Sequence, residues 1–376
     1  MATPRALLTV ALVLVGGLLG CSAPAASSPS PSSDAARAIS APATPAPRAT
    51  ESAPAAATSA LTTVQVASVG AVSDVGLYVA MDRGYFAAEG LQIELSPTDG
   101  ISRIISALST NQVDVAGGTG GAALFNAFSR NIPVKLVADK GRLAPGFGYF
   151  ALTVRQDLVD SGQVRTVADL HRRVLAVNLL NTGSIGERLA DLALARGNLT
   201  RDDVTAIDLT YTDMTVGFGN RGIDAAIQLE PMVTAAVAQG LATRLLTLDE
   251  VSPDHQVGVL MYGPRFAASE EGHRFLVAYL RGVRDYHEAF THGRDRTAII
   301  DILTRYSTVK DPALYELMVM PAFNPDGYVN RASIQGDYDY YRARGFIQQD
   351  VRLDAVVDDR YVESALQRLG RYQPRS

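Results

Sequence analysis

Short apolar runs alternate with amphipathic stretches along most of the chain beyond residue 60. The runs typical of strands in the first half are residues 63–69, 91–95, 113–116 and 134–138. Between the second and third of them, Ile101, Ile104 and Leu108 follow the spacing of one helix face. Strands that alternate with helices in this way predict an α/β fold, with a mainly parallel sheet covered by helices on both faces.

The second half of the chain repeats this alternation. Its strand-type runs are residues 173–177, 206–209 and 223–226. The strings NQVDVA at 111–116 and RGIDAA at 221–226 share a turn, an apolar residue, an aspartate and small residues that enter a strand. We interpret them as the same turn in two related lobes, which predicts structural roles for Asp114 and Asp224. From about residue 267 the chain becomes mainly helical.

The N-terminal segment has the three parts of a secretory signal. Arg5 precedes an apolar run at residues 6–15, and the tetrapeptide LLGC ends at Cys21, the only cysteine of the chain. The run is too short to span a bilayer, which needs about 20 apolar residues. LLGC resembles the lipobox of bacterial lipoproteins, which implies that residues 1–20 are removed and that Cys21 carries lipid. The alternative is an ordinary signal peptide with an unpaired cysteine.

Residues 21–60 differ from the rest of the chain in composition. Alanine, serine, proline and threonine dominate, and charges are few. Such a segment buries too little apolar surface to fold, which predicts a disordered tether between a membrane and a folded body. The whole chain is 47% apolar and 19% charged, with a net charge of −5 and no basic run with interleaved aromatic residues. These features argue against a nucleic-acid partner.

The segment DRGYFAAEGL at residues 82–91 resembles the GYFxxEGL segment of the solute-binding proteins of bacterial ABC importers. The branch is the one that takes nitrate, sulfonates, taurine and thiamine-precursor pyrimidines. Later segments follow in a similar order, namely VDVAGG at 113–118, VKLVA at 134–138, VADL at 167–170 and LEP at 229–231. The resemblance covers residues 61–262 and implies a two-lobed fold of the type II periplasmic-binding-protein kind.

The resemblance also implies where the lobes begin and end. Lobe 1 is expected at residues 61–153 and 253–376, and lobe 2 at 154–252. Two crossing strands, expected at 148–153 and 256–260, would serve as the hinge. The ligand would lie between the lobes at the carboxyl ends of the strands, where the free N–H groups of helix N-termini converge.

The loops that follow the strands supply the candidate ligand-binding residues. Glycine lets the backbone approach a ligand closely, and hydroxyl and carboxylate groups can hydrogen-bond to it. The candidates are Ser73, Asp74, Asp99, Gly118, Thr119, Ser184, Tyr211, Asp213 and Glu230. Ordinary N-capping is an equal alternative for Ser73, Asp99 and Ser184.

The candidate cleft is richer in acids than in bases, the bases being Lys140, Arg142 and Arg221. Acceptor carboxylates suit a ligand with N–H donors, such as a pyrimidine. However, the cysteine-rich stretch of the thiamine-precursor relatives is absent from the chain. The identity of the ligand therefore stays open between an organic anion and a nitrogen heterocycle.

Two patterns raise the question of catalysis. GTGGAA at residues 118–123 resembles a dinucleotide-binding turn with Asp139 about 20 residues later, but it follows the third strand of its half rather than the first. His287 and His292 are about 140° apart on a helix, so they cannot share a zinc ion. The sequence therefore predicts neither an enzyme nor a cofactor or metal site.

Together these features predict a lipid-anchored, extracytoplasmic solute receptor. It is expected to be a monomer that captures a small molecule, closes around it and docks on an ABC permease with its ATPase. A sensor or an enzyme on the same scaffold is the alternative, and a nucleotide-dependent oxidoreductase is the weakest one.

Overall fold

A computed structural model of the chain describes residues 60–98 and 100–375. Within these ranges ten strands form two sheets of five, each flanked by helices. The predicted signal at 1–20, the lipidation site Cys21, all but the last residue of the tether, and Asp99 lie outside the described residues. Of the helices that the structure describes, none combines the length and the apolar character needed to cross a membrane.

The first sheet combines four strands from the first half of the chain with one that returns from the second half. In chain-order numbering, its strands are β1 (Thr62–Ser68), β2 (Leu91–Pro97), β3 (Val115–Thr119), β4 (Lys135–Arg142) and β10 (Gln256–Tyr262). Their order across the sheet is β2-β1-β3-β10-β4. β1 is parallel to β2 and β3, whereas β10 is antiparallel to both of its neighbours.

The second sheet repeats this arrangement. Its strands are β5 (Phe150–Arg155), β6 (Val174–Val177), β7 (Thr205–Asp208), β8 (Ala225–Leu229) and β9 (Ala242–Thr247). Their order is β7-β6-β8-β5-β9, and β5 is the antiparallel strand. The prediction of two mainly parallel sheets flanked by helices is confirmed. We call the first sheet with its helices lobe 1 and the second sheet with its helices lobe 2.

Helices connect the strands in both lobes, and a long helical segment follows β10. The described helices of lobe 1 are α1 (Val75–Asp82), α2 (Tyr85–Ala88), α3 (Ile101–Ser109), α4 (Ala122–Ser129), α9 (Pro264–Ala267), α10 (Glu270–His292), α11 (Arg296–Tyr306), α12 (Pro312–Leu317), α13 (Arg331–Ala343) and α14 (Arg360–Leu369). Those of lobe 2 are α5 (Gln156–Asp160), α6 (Ile185–Ala195), α7 (Tyr211–Gly219) and α8 (Met232–Ala238).

The sheet of lobe 1 is buried on both faces. Along β10, Leu260 and Tyr262 join the core that contains α1 and α10, whereas Val259 and Met261 join the core that contains α3 and α4. Successive side chains of a strand point to opposite faces, so a strand buried on both sides reads as a continuous apolar run. This explains why the strand positions could be recognised from short apolar runs.

The two turn aspartates occupy matching places in the two sheets. Asp114 precedes β3, and its carboxylate accepts a hydrogen bond of 3.0 Å from the backbone N–H of Gln65 in β1. Asp224 precedes β8 and accepts one of 2.9 Å from the N–H of Val174 in β6. Each carboxylate thereby ties the start of one strand to its neighbour, and the predicted structural role of both residues is confirmed.

Two connections, at residues 143–149 and 248–255, join the sheets. The strands expected to cross between the lobes correspond to β5 and β10, but each of them lies within one sheet. The boundary expected after residue 153 falls inside β5, because this strand pairs with β8 from Phe150 onward. The segments that cross between the lobes are therefore the connections that precede β5 and β10.

Candidate functional site

The loops at the carboxyl ends of the two sheets meet each other. The backbone N–H of Ala122, which follows β3, donates a hydrogen bond of 2.9 Å to the carbonyl of Gly183, which follows β6. On the hinge side, the N–H of Glu230 donates one of 2.9 Å to the carbonyl of Tyr149 in the first connection. The region between these two contacts is the candidate functional site.

A buried ion pair lies at the carboxyl edge of lobe 1. The Nζ atom of Lys140 in β4 is 2.8 Å from Asp74 Oδ1, and both side chains are more than 90% buried. Lys140 also donates a hydrogen bond of 3.0 Å to the Ser73 hydroxyl. The structure therefore brings the predicted Ser73 and Asp74 together around a lysine that the sequence indicated only as one of three bases.

The strand next to this ion pair is shaped to receive the lysine. A Cβ added at Gly117 in β3 would lie 1.9 Å from Lys140 Cε, far closer than two carbon atoms can approach. Glycine is therefore the residue that leaves room for the lysine stem at this position. The other carboxylate oxygen of Asp74 accepts a hydrogen bond of 2.8 Å from the Ser68 hydroxyl, which holds the carboxylate in place.

A tyrosine of the first connection faces the same space. A Cβ built on Gly141 would lie 3.3 Å from the Tyr149 hydroxyl and 3.7 Å from Ser73 Cβ. The Tyr149 side chain is buried, yet among the described residues its hydroxyl has no hydrogen-bond partner. Burial raises the pKa of Tyr149 well above its usual value, with smaller contributions from Asp139 and Tyr211, so the hydroxyl stays protonated. It is thus available as a donor.

Tyr211, another lobe 2 candidate, approaches this tyrosine through the ring of Phe150. It begins α7, and its ring lies 6.3 Å from the ring of Phe150, which in turn contacts Tyr149. Burial raises its pKa, and its hydroxyl also has no hydrogen-bond partner within the described part of the chain. Two aromatic hydroxyls, one from the first connection and one from lobe 2, therefore have no hydrogen-bond partner among the described residues.

Ser184 caps α6, as its alternative interpretation predicted. Its hydroxyl accepts a hydrogen bond of 3.2 Å from the N–H of Glu187 and donates one of 2.9 Å to the carbonyl of Asn178. The Glu187 carboxylate accepts hydrogen bonds from the N–H groups of Thr182, Gly183 and Ser184. It also forms an ion pair with Arg201. This fully buried glutamate was missed at the sequence level, although the S-x-x-E spacing of a capping box was present.

Glu230 is likewise engaged within the protein. It follows β8, is buried, and accepts hydrogen bonds of 3.0 Å from both the N–H and the hydroxyl of Thr234. Arg244 forms an ion pair with it at 2.8 Å, and the N–H of Val319 reaches it from lobe 1. Glu230 therefore supports the hinge side of the site and has its charge balanced.

The remaining candidates lie at the margin of the site. An added Cβ at Gly118 would meet Met261 and Ile101, so this glycine serves the packing of lobe 1. Thr119 ends β3 and is exposed. Asp213 is exposed and accepts a hydrogen bond of 2.7 Å from Thr210, the cap of α7.

The charge balance of the site differs from the acid-rich cleft read from the sequence. Asp74 pairs with Lys140 and Glu230 with Arg244, so neither acid is a free acceptor. These two acids therefore do not support the argument for a ligand with N–H donors. No group of three metal-ligating side chains is found in residues 60–98 and 100–375.

Comparison with known proteins places this geometry in a family. The NMT1/THI5-like family profile matches residues 73–289, which is more than half of the chain. No curated protein sequence matches the chain significantly.

Solved structures share the fold at low sequence identity. The periplasmic aliphatic sulphonate binding protein SsuA from Escherichia coli has a TM-score of 0.62 and 17% identity, over 80% of this chain and 93% of that one. The periplasmic nitrate-binding protein NrtA from Synechocystis PCC 6803 has a TM-score of 0.66 and 13% identity, over 82% and 89%. The desulfurization enzyme DSZB has a TM-score of 0.57 and 15% identity, over 82% and 99%. These likenesses confirm the predicted fold of the type II periplasmic-binding-protein kind.

Proposed function

The chain belongs to the NMT1/THI5-like family, and on that premise we propose that it is the solute-binding component of an ABC importer. It would capture a small organic solute between its lobes and deliver it to a membrane permease with its ATPase. The observation that carries the proposal is the buried Lys140–Asp74 pair beside the unpartnered Tyr149 hydroxyl, at the place where the two lobes meet.

The donors of this site favour a solute that offers acceptor atoms. Lys140 has three N–H bonds, of which Asp74 and Ser73 accept two. The third N–H and the Tyr149 hydroxyl remain for the solute. A sulfonate or carboxylate oxygen suits these donors, and so does the carbonyl oxygen or ring nitrogen of a heterocycle. Both solute classes therefore belong in the test.

Closure would couple capture to delivery. Lys140, Ser73 and Tyr149 lie in lobe 1 and its connection, whereas Tyr211 lies in lobe 2. A solute that touches both sets binds the closed arrangement more tightly than the open one, and this difference shifts the population toward closure. In this proposal Cys21 carries the lipid that holds the protein at the outer face of a membrane.

An enzyme on the same scaffold is the second candidate. The Ser73 hydroxyl lies 3.0 Å from Lys140, and a Ser–Lys pair is one known form of activated nucleophile. In such a pair the lysine must be neutral to accept the proton of the serine. Here Lys140 also forms an ion pair with Asp74 at 2.8 Å, so its Nζ atom is shared between the acid and the serine. The pair is thus better suited to holding a solute than to attacking it.

A thermal-shift screen tests the proposal. The panel contains alkanesulfonates, nitrate, pyrimidines, flavins and amines, and a solute at 100 times its dissociation constant stabilises the protein by about 2.7 kcal/mol. The first test variant is Lys140→Met combined with Asp74→Asn, which removes both charges together and is expected to lose the stabilisation by the solute. The second test variant is Ser184→Trp. A large side chain beside Gly121 blocks the contact between the lobes, so this variant is also expected to lose the stabilisation. A solute that stabilises both variants as well as the original chain contradicts the site, and turnover of a solute would support the enzyme instead.

A further inference from the structure

A helical segment that follows β10 reaches from lobe 1 to lobe 2. We call α13 and the residues after it as far as Phe346 the arm. Arg188 in α6 of lobe 2 is 3.3 Å from the Asp337 carboxylate in the arm, and its guanidinium lies 4.5 Å from the ring centre of Tyr340. Both interactions cross between the lobes.

A second residue of α6, Asp191, contacts the arm as well. Asp191 accepts a hydrogen bond of 2.6 Å from the Tyr340 hydroxyl and forms an ion pair of 2.5 Å with Arg344. Nearer the site, the Tyr341 hydroxyl donates a hydrogen bond of 3.1 Å to the carbonyl of Ser184. The arm thus contacts α6 along one side, from its N-cap to its second turn.

The arm itself is fixed to lobe 1. The rings of Tyr338 and Tyr341 pack against Phe125 in α4, at 5.7 and 6.1 Å between ring centres. Asn126 in the same helix donates a hydrogen bond of 2.8 Å to the carbonyl of Phe346. Asp337 also faces His255 at 3.1 Å, in the connection that precedes β10. An opening of the lobes therefore breaks the contacts of the arm with α6 and leaves those with lobe 1 intact.

We propose that the arm is a latch between the lobes, which holds lobe 2 closed on lobe 1 before any solute binds. Its contacts with α6 combine two ion pairs, a cation–π contact and two hydrogen bonds, and Asp337 is fully buried among them. None of these residues belongs to the Lys140 site, so the latch sets the ratio of open to closed molecules separately from the contacts with the solute. That ratio fixes the fraction of the protein that is competent to bind, and with it the apparent affinity.

A distance measurement on the full chain tests the latch without any solute. Cys21 is the only cysteine, so Cys21→Ser allows two spin labels to be placed at Ser106→Cys in α3 and Val216→Cys in α7, both exposed. The labelled chain is expected to show mainly one short distance. Arg188→Gln is expected to add a longer distance and to raise the ratio of open to closed molecules about tenfold, since it removes a charge-assisted hydrogen bond.

The control is Arg196→Gln at the other end of α6, where the side chain is exposed and has no partner in the arm. This variant is expected to keep the short distance. Tyr340→Phe deletes one oxygen atom and is also expected to raise the ratio of open to closed molecules. If Arg188→Gln does not fold, Tyr340→Phe alone tests the latch. A chain that is already mainly open, or unchanged distances in both arm variants with unchanged melting temperatures, would overturn the latch.

Discussion

The two lobes share a backbone plan but differ in the chemistry at their edges. The order of strands is the same in both sheets, and both place an antiparallel strand fourth. In lobe 1, Leu260 pairs with Gly117, and at the matching place in lobe 2, Leu152 pairs with Ile227. Where one lobe has a glycine that admits a lysine stem, the other has a buried isoleucine.

The lysine has an apolar counterpart as well. Val259 pairs with Asp139 and Ala151 with Thr247, so the next residues are Lys140 in β4 and Leu248, directly after the end of β9. Leu248 is fully buried in the core of lobe 2. The two lobes thus share a backbone arrangement, whereas a Gly–Lys combination in place of Ile–Leu makes room for the Lys140–Asp74 ion pair in lobe 1.

The largest expected effect comes from breaking the ion pair of lobe 1. Lys140→Met leaves the Asp74 carboxylate buried without its partner, which is expected to lower the free energy of unfolding by about 3–5 kcal/mol. Adding Asp74→Asn is expected to restore most of this loss. Leu248→Met, the counterpart in lobe 2, is expected to cost less than about 1.5 kcal/mol. Denaturant unfolding measures all three, and equal losses for Lys140→Met and Leu248→Met would contradict the contrast.

The next prediction concerns Gly117, the residue of lobe 1 that matches Ile227 of lobe 2. Gly117→Val places a side chain where the lysine stem lies, so either the lysine or the strand must shift, at a cost of about 1–3 kcal/mol. In combination with Lys140→Met and Asp74→Asn, the cost of the valine is expected to fall. Unfolding free energies of these variants provide the check, and an unchanged cost would mean that the glycine is required for another reason.

An effect of equal size in both lobes is expected where the lobes agree. Asp114→Ala and Asp224→Ala each remove a carboxylate that accepts a backbone hydrogen bond and pairs with an arginine. Each change is expected to lower the free energy of unfolding by about 1–3 kcal/mol. Amide exchange can locate the loss, which is expected in β1 for the first variant and in β6 for the second. A loss of amide protection that extends over both sheets in either variant would argue against two matching local turns.

The last effect concerns acid, and it is confined to lobe 1. Burial raises the pKa of Glu288 in α10, but hydrogen bonds from Tyr372, the backbone of Arg375 and Arg294 outweigh it and lower the pKa to about 2. A carboxyl whose pKa is lower in the folded state contributes stability above its unfolded pKa and loses it as the pH falls. We therefore expect Glu288→Gln to flatten the decline in melting temperature between pH 4.5 and about 2. Glu363→Gln, exposed on α14, should leave the decline unchanged.

The sequence was sufficient for the frame because local patterns determine it. The apolar runs located the strands, and the shared aspartates identified the repeated turn. β4 extends past its apolar run to Arg142 because it continues to pair with β10, although Asp139 and Lys140 are charged. A charged pair inside a strand gives no strand signal, so the end of β4 was placed four residues too early.

The site was only partly predictable, because its partners come from distant parts of the chain. Ser73 and Asp74 were identified from their place after β1, but Lys140 reaches them from β4 and is 66 residues from Asp74 in sequence. The role of Gly117 becomes visible only in the folded chain, where its backbone lies against the side chain of Lys140. Similarly, the capping glutamate of α6 shows its buried ion pair with Arg201 only in the folded chain.

A calorimetric titration tests the central claim most directly. The solute that stabilises the protein most in the thermal screen is titrated into the original chain and into the variant with Lys140→Met and Asp74→Asn. The account predicts one solute per chain and a loss of affinity of about 100-fold or more in the variant, since the site loses a charged donor to the solute. Equal affinity in both proteins would contradict a site centred on Lys140 between the lobes.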